Sequence, residues 1–234
     1  INVDAYHAHD LDTLLPAARA ARQRDVPLIY DSHELWTEQS SLEKRPFIRF
    51  FWQEMEKRLI TRVHRTISVS PSIAQILQKR YCLDHEVVLL RNLPLYQTPE
   101  DNDQIRTQLG LAKDQSIVLY QGGFLTGNGL TEQIQAIAGV DEAVLVLLGD
   151  GPTEDILKDQ VRKSGLERKV YFIPRVPFAQ LHRYSCSATI GLCLIKGSGL
   201  SFYYSLPNKL FEYMMAGLPV LASDFPDMRT VITQ

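Results

Sequence analysis

The chain has 234 residues, 45% of them hydrophobic, which is enough for one large or two small globular domains with a sizeable core. Its formal net charge of −2 at pH 7 argues against nucleic-acid binding through a general positive field. The longest apolar run, residues 143–148, is far shorter than the ~20 residues that span a bilayer. Three scattered cysteines without a metal-type spacing predict a reducing, cytoplasmic compartment.

In the first part of the chain, short apolar strands alternate with helices. We predict strands at 3–10, 27–31, 65–69 and 87–90, and helices at 12–24, 46–62 and 71–80. Short connections between alternating strands and helices indicate a parallel, doubly wound sheet. Because the chain begins inside a predicted strand and stops soon after another, we expect a fragment that lacks both ends.

A polar, proline-containing stretch from Asn92 to Asp103 interrupts this alternation and predicts a linker. A second α/β set follows it. Strands are predicted at 117–120, 144–148, 170–173, 189–194 and 218–222, with helices between them. The domains are therefore predicted as 1–94 and 104–234, joined by residues 95–103. Ligands of such sheets bind at the carboxyl ends of the strands.

The last predicted helix begins at Pro207 and ends before Gly217, and its first turn is suited to an anion. Proline fits the first helical position, and the open N–H groups of a helix start favour an anion by about 0.3–1 kcal/mol. Leu210, Phe211, Met214 and Met215 recur at helical spacing and predict the core face. Lys209 adds a cation, and Glu212 follows one turn later. This pattern predicts a nucleotide-sugar site, with a phosphate above the first turn and a hydroxylated ring beside the glutamate; an ordinary amphipathic helix is the alternative.

This segment resembles the donor-binding helix of family-4-type retaining glycosyltransferases (group 1), which have the two-domain GT-B fold. In that family two glutamates separated by seven residues flank the helix start, and the second binds the donor ribose. Glu212 matches the second glutamate, whereas Tyr204 stands at the position of the first. The resemblance implies two Rossmann-like domains, both incomplete here: an acceptor-side domain over 1–94 and a nucleotide-sugar domain over 104–234.

Glycine-rich turns between strands and helices let backbone N–H groups approach phosphates. We expect Gly122, Gly123 and Gly149 to bind the donor in this way, in one pocket with Pro174 and the Pro207 helix, whose Asn208 also faces the donor. Members of the resembled family usually carry basic residues where this chain has Gly123 and Asn128, so Asn128 is the donor-binding candidate there. Lys209 and backbone amides are then expected to carry more of the diphosphate charge.

Two strand ends carry histidines. His7 and His9 share one face of a strand, but no further cluster with a recognisable spacing completes a metal site, so no metal is predicted and His9 with Asp10 is assigned to the acceptor side. His33 and Glu34 follow the next strand, where they are placed to contact a substrate hydroxyl. In the resembled family a histidine at this point lies near the reacting sugar, so His33 is the predicted catalytic residue. A structural surface histidine is the alternative.

The predicted helix 46–62 is aromatic and basic, a combination that allows transient contact with an anionic membrane surface. The alternative, which we favour, places a stripe in the core. That stripe comprises Ile48, Phe51, Met55, Leu59 and Val63.

The resemblance implies a metal-independent, hexosyltransferase-like enzyme of polysaccharide biosynthesis, cytoplasmic or peripheral at the inner membrane face. It would transfer a sugar with retention from a nucleoside-diphosphate sugar, its co-substrate, to a glycan, lipid-linked or small-molecule hydroxyl, without a further cofactor. A non-catalytic nucleotide-sugar or partner-binding protein is one alternative, suggested by Gly123, Asn128 and Tyr204. A nucleotide-sugar epimerase is another, although the sequence shows no acid/base pair for it. The donor base, the sugar, the acceptor and the oligomeric state stay open.

Overall fold

The computed structural model describes residues 3–196 and 199–233. They contain two parallel sheets, which confirms the predicted α/β class. The strands are β1 (Tyr6–His9), β2 (Leu28–Ser32), β3 (Arg65–Ser68), β4 (Val88–Leu89), β5 (Ser116–Gln121), β6 (Ala143–Leu148), β7 (Val170–Ile173), β8 (Ile190–Cys193) and β9 (Val220–Ala222). The helices are α1 (Asp10–Arg24), α2 (Ser40–Glu43), α3 (Pro46–Ile60), α4 (Pro71–Tyr81), α5 (Gln104–Leu109), α6 (Leu130–Ile137), α7 (Glu154–Lys163), α8 (Phe178–Cys186), α9 (Leu200–Tyr203), α10 (Asn208–Met215) and α11 (Pro226–Thr233).

The described residues divide into two compact units, each with one sheet. The first unit comprises 3–92, 199–206 and 224–233, and its strand order is β1-β2-β3-β4. The second comprises 93–196 and 207–223, and its order is β7-β6-β5-β8-β9. Strand order reverses at β5 in the second sheet, and the crevice at such a switch point is the usual ligand site of an open α/β sheet.

Two segments of the predicted second domain belong instead to the first unit. In the segment 199–206, the Ser201 hydroxyl donates a hydrogen bond of 3.1 Å to Glu34 Oε2. In 224–233, the Asp227 carboxylate accepts hydrogen bonds from the Ser72 backbone N–H (3.2 Å) and hydroxyl (2.9 Å). The sequence did not predict that these two segments belong to the first unit, because the hydrogen bonds that hold them there join residues 155 and 167 positions apart.

The predicted linker 95–103 has no helix or strand and lies along α8 within the second unit. The Thr98 carbonyl oxygen accepts a hydrogen bond of 3.0 Å from His182 Nε2. The Glu100 carboxylate lies 3.4 Å from the Arg183 guanidinium. Residues 93–103 are therefore part of the second unit rather than a free connection.

The core stripe predicted for α3 is wrong in its first half. Ile48 and Phe51 are 44% and 60% exposed. The buried positions of α3 are instead Glu56 and Ile60, four residues apart. Glu56 is tolerated in the core because the hydroxyls of Tyr30 (2.9 Å) and Tyr81 (2.6 Å) donate to its carboxylate. Met55 and Leu59, from the second half of the predicted stripe, do pack against the core, whereas the amino-terminal half of α3 is apolar and exposed.

No helix in the ranges 3–196 and 199–233 combines the length and the apolar character needed to cross a bilayer.

Helix α10 lies where the sequence predicts it, but its buried face differs. Leu210 and Tyr213 are fully buried, whereas Met214, which the periodicity assigns to the core, is 45% exposed. Tyr213 can be buried because its hydroxyl accepts from the Gln121 backbone N–H at 2.9 Å and donates to the Leu119 carbonyl oxygen at 3.2 Å. The tyrosine therefore connects α10 to β5 beside the crevice.

Candidate functional site

A cavity of about 410 Å³ opens at the carboxyl ends of β5, β6 and β7 in the second unit. This volume lies within the usual range of small-molecule sites. The lining residues come from the loops after these strands and from the start of α10. They are Gln121, Gly122, Gly123, Leu148, Gly149, Asp150, Arg175, Val176, Phe178, Leu181, Asn208, Lys209 and Glu212.

Most residues predicted to bind a donor lie in this one cavity: Gly122, Gly123, Gly149, Asn208, Lys209 and Glu212. Pro174 is not among the lining residues, although Arg175 and Val176 next to it are. Asn128 does not line the cavity either. Its side-chain N–H₂ donates to the Tyr120 hydroxyl (2.9 Å) and to the Gly123 carbonyl oxygen (3.0 Å), so it holds the glycine turn.

The expectation that the glycine turns offer free backbone N–H groups is only partly met. The N–H of Gly122 donates to the Leu148 carbonyl oxygen at 3.0 Å, and that of Gly149 donates to the Ile173 carbonyl oxygen at 2.9 Å. These bonds extend the sheet into the turns. At the start of α10, by contrast, the N–H groups of Asn208 and Lys209 have no hydrogen-bond partner among the described residues.

The Lys209 ammonium is the main positive group of the cavity. It lies 3.9 Å from the centroid of the Tyr120 ring, beside Gly122. No carboxylate of the described residues forms an ion pair with it. Burial lowers its pKa from 10.5 to about 8, and Cys193 and Glu212 partly oppose this effect. An unpaired ammonium beside open helix N–H groups can bind a phosphate.

Glu212 is fixed by residues that the sequence interpretation did not select. Gln121, 2% exposed, donates from Nε2 to Glu212 Oε2 at 2.6 Å. The Gln121 side-chain carbonyl accepts a bond of 2.8 Å from the Ser185 hydroxyl. Burial raises the pKa of Glu212, whereas the bond from Gln121 and the charge of Lys209 lower it. The carboxylate is thus oriented at the cavity wall.

Arg175 is a second cation in the cavity that sequence reasoning missed. The resembled family usually carries basic residues at the positions of Gly123 and Asn128, whereas Arg175 follows a different strand, β7. It is exposed and makes no hydrogen bond or ion pair with residues that the structure describes. The cavity therefore has two positive side chains for an anionic ligand, Arg175 and Lys209.

In the first unit, three histidines surround one carboxylate, and we call His7, His9, Asp31 and His33 the histidine cluster. Asp31 Oδ2 lies 3.2 Å from His7 Nε2, 3.6 Å from His9 Nδ1 and 3.3 Å from His33 Nε2. His9 Nδ1 and His33 Nε2 are 3.4 Å apart. The imidazole rings of His7 and His9 stack with their centroids 4.2 Å apart.

A carboxylate that no sequence spacing reveals lies beside the His7–His9 pair. Ligand atoms of His7, His9 and Asp31 all lie within 4.8 Å of one another. Parallel pairing of β1 with β2 sets His9 opposite Asp31. Because these residues are far apart in the chain, no local spacing reveals the cluster.

The other predicted acceptor-side residues are engaged in local contacts. Asp10 Oδ1 accepts a hydrogen bond of 3.0 Å from the His33 backbone N–H, and burial raises the pKa of Asp10. The Glu34 carboxylate accepts from Gln39 Nε2 (2.5 Å) and from the Ser201 hydroxyl (3.1 Å). Burial raises the pKa of Glu34, and these two bonds lower it. Asp10 thus supports His33, and Glu34 holds the segment 199–206.

Comparison with known proteins gives matches to both parts of the chain. The family model described as "Glycosyl transferases group 1" matches residues 101–234, and the one described as "Glycosyltransferase Family 4" matches residues 1–92. The chain is 26% identical over 172 residues to "Putative teichuronic acid biosynthesis glycosyltransferase TuaC" of Bacillus subtilis (strain 168). That alignment covers 72% of this chain and 40% of the relative, so the chain spans less than half of that protein's length.

Solved structures with a similar fold include Alr3699/HepE of Anabaena in complex with UDP-glucose, at 20% identity and a TM-score of 0.78. The match covers 97% of this chain and 62% of that one. Sucrose-phosphate synthase (tll1590) from Thermosynechococcus elongatus matches at 20% identity and a TM-score of 0.77, covering 98% of this chain and 58% of that one. At these identities the likeness shows the fold, which is of the GT-B type, as the sequence predicts.

Proposed function

The chain belongs to the glycosyl transferases group 1 family, and we propose on that premise that its protein transfers a sugar from a nucleoside-diphosphate sugar to a hydroxyl acceptor. One observation carries the proposal: the unpaired Lys209 ammonium, the open N–H groups of α10 and the oriented Glu212 carboxylate line the same cavity. The HepE complex with UDP-glucose supports a UDP-sugar as the first donor to test.

In the proposed reaction, negative charge develops on the departing nucleoside diphosphate. Lys209, Arg175 and the α10 N–H groups stabilise this charge. Such electrostatic stabilisation is usually the largest contribution to the rate enhancement of an enzyme. Glu212 holds the ribose hydroxyls. We propose hexosyl transfer with retention, independent of a metal and without a further cofactor, within polysaccharide biosynthesis in the cytoplasm. His33 positions the reacting groups, and His9, Asp10 and Glu34 belong to the acceptor side.

Incubation of the full-length protein with UDP-, GDP- and ADP-sugars, followed by measurement of nucleotide release, tests this function. NMR of the product's anomeric proton reports retention or inversion. The rival is a protein that binds a nucleotide sugar without turnover, and it is favoured by Asn128, whose amide is committed to Tyr120 and Gly123 rather than to the cavity. Saturable binding without release of nucleotide from any donor would support the rival.

Replacing Glu212 by alanine should weaken nucleotide binding by about 1–3 kcal/mol, or roughly 5- to 150-fold in Kd. In the proposed complex the carboxylate accepts hydrogen bonds from the ribose hydroxyls, so its truncation leaves these hydroxyls unpaired. It also leaves Gln121 Nε2 without its acceptor. Calorimetric titration with UDP measures the change.

A 2′-deoxy nucleotide is the matched control for Glu212. It should bind the unchanged protein less tightly than UDP, whereas Glu212→Ala should bind both nucleotides almost equally. If the 2′-deoxy nucleotide binds more weakly than UDP by the same factor in the unchanged protein and in Glu212→Ala, then Glu212 does not contact the ribose.

Affinity for UDP should fall as the pH rises through about 8. The diphosphate binds the protonated amine of Lys209, whose pKa burial lowers to about 8. Above that pH the Lys209 amine must take up a proton before it can bind the diphosphate. Each further pH unit then weakens binding by about 1.4 kcal/mol, or tenfold in Kd. Titrations between about pH 7 and pH 10 measure this slope. Lys209→Met should bind weakly with no such slope, and a slope that persists in this variant would assign the pH dependence to another group.

We also propose that the exposed amino-terminal half of α3, which the sequence pattern assigned to the core, makes transient contact with an anionic membrane surface. Phe47 and Phe50 are 89% and 63% exposed there, next to the exposed Lys44 and Arg45. Since burying a phenylalanine contributes about 1.5–3 kcal/mol, replacing both by serine should lower co-sedimentation with anionic vesicles at least about tenfold. Ile156→Ser, at an equally exposed site of α7, should not lower it. Equal binding by all three proteins would contradict a role for α3.

A further inference from the structure

The spacing of the ligand atoms in the histidine cluster matches that of a metal site. Four of the separations between its nitrogen and oxygen atoms lie between 3.2 and 3.6 Å. Tetrahedral zinc, with bonds of about 2.0–2.2 Å, sets neighbouring ligand atoms about 3.3–3.6 Å apart. His9 Nδ1, Asp31 Oδ2 and His33 Nε2 therefore already form a triangle of the size that one ion imposes.

Three ring nitrogens, His7 Nε2, His9 Nδ1 and His33 Nε2, converge on the one oxygen Asp31 Oδ2. When His9 and His33 both donate an N–H to this oxygen, their two N–H groups face each other at 3.4 Å. A cation between the three atoms would replace that contact. Asp31 is 7% exposed, and its buried charge also favours a cation. His7 lies close enough to join the triangle, because ligand atoms of His7, His9 and Asp31 also all lie within 4.8 Å of one another.

A second shell of contacts supports the ligands. The remaining ring nitrogen of His33, Nδ1, lies 3.5 Å from Asp10 Oδ2. Histidines that bind a metal usually direct their other ring nitrogen to a carboxylate or carbonyl, which fixes the tautomer. The histidine side chains are 40–57% exposed, so an ion can enter from solvent. Imidazole with carboxylate suits Zn²⁺, Co²⁺ and Ni²⁺, whereas Mg²⁺ and Ca²⁺ prefer oxygen ligands.

We propose that the histidine cluster binds one transition-metal ion of the Zn²⁺ class through His9, Asp31 and His33. His7 supplies the fourth ligand atom, and Asp10 orients His33. The ion takes no part in sugar transfer. Its binding instead withdraws His9 and His33 from the acceptor, so that it inhibits transfer. The metal site stands on the geometry of the first unit, whereas the inhibition also rests on the proposed function.

The test uses full-length protein freed of metal with a chelator. Calorimetric titration with Zn²⁺ should show one ion per chain, and Co²⁺ should give the visible absorption of a tetrahedral site. His9→Ala and Asp31→Asn should each lower the Zn²⁺ affinity at least about tenfold. His85→Gln is the matched control, because His85 also contacts an aspartate, Asp84 at 3.0 Å, but lies outside the cluster. It should bind Zn²⁺ as the unchanged protein does, and circular dichroism confirms folding of each variant.

Absence of saturable binding, or binding that the His9 and Asp31 variants do not weaken, would overturn the metal site. The inhibition would be supported if the metal-free protein releases nucleotide, if added Zn²⁺ suppresses that release, and if Zn²⁺ suppresses it less in Asp31→Asn. Release that is unaffected at saturating Zn²⁺ would overturn the inhibition. A metal-free protein that binds Zn²⁺ but releases nucleotide from no donor would count against the proposed function while leaving the metal site supported.

Discussion

Gly149→Ala should destabilise the second unit by at least about 3–5 kcal/mol, a large share of the stability of an ordinary domain. Gly149 has φ +149°, a backbone conformation that side chains rarely adopt, and an added Cβ would overlap the carbonyl oxygen of Gly122. Backbone atoms cannot rotate away as a side chain does. The carboxyl ends of β5 and β6 would have to separate, and the Gly122 N–H bond to Leu148 lies between them.

Gly110→Ala is the matched control for Gly149→Ala. Gly110 also has a positive φ, +66°, but an added Cβ would meet nothing within 4 Å. Only the left-handed conformation then opposes alanine, at about 1–2 kcal/mol. Urea unfolding of both variants measures the difference, and UDP titration reports the cavity. Equal unfolding midpoints would show that the two turns can move apart and that the close approach at Gly149 is not a structural requirement.

The sheets could be predicted most clearly from those strands that are buried on both faces. β6 is the clearest case: all six residues from Ala143 to Leu148 are buried, and the sequence there is a continuous apolar run. Parallel strands covered by helices have this composition. The boundaries of α10 were predictable from its end residues, because proline precedes its first turn and Gly217, with φ +72°, follows its end.

The inner faces of α3 and α10 could not be predicted in full, because polar side chains occupy them. Glu56 and Tyr213 are buried, and each is satisfied by hydrogen bonds from other parts of the chain. Hydrophobic periodicity counts such residues as outward-facing. It therefore assigned Phe51 and Met214 to the core, although both are exposed.

Part of the candidate site was readable from one segment, and part required the folded chain. Lys209 and Glu212 lie on one short helix, so their proximity follows from helical spacing. Gln121 and Arg175 join them only because β5 and β7 end at the same edge of the sheet. Asp31 joins His9 for the same reason in the first unit. Side chains that meet through parallel strand pairing leave no periodic signal in the sequence.

His33→Ala should lower the turnover of the full-length protein by about 100-fold, the size of effect expected when the reacting groups are misplaced. It should leave the Kd for UDP almost unchanged. His33 belongs to the first unit, whereas the cavity proposed for the donor is lined by residues of the second. A residue that acts on the aligned reactants lowers kcat, and one that binds the donor raises its Kd.

The surroundings of His33 in the first unit sharpen this experiment. Its side chain is 44% exposed and its two ring nitrogens face carboxylates, Nε2 at 3.3 Å from Asp31 and Nδ1 at 3.5 Å from Asp10. Asp31→Asn keeps the size of the residue and removes the charge, so it should lower turnover less than His33→Ala. His85→Gln, outside the cluster, should retain normal turnover. If His33→Ala also retains it, then His33 is a structural surface residue, because its loss would then affect neither the donor site nor the reaction step.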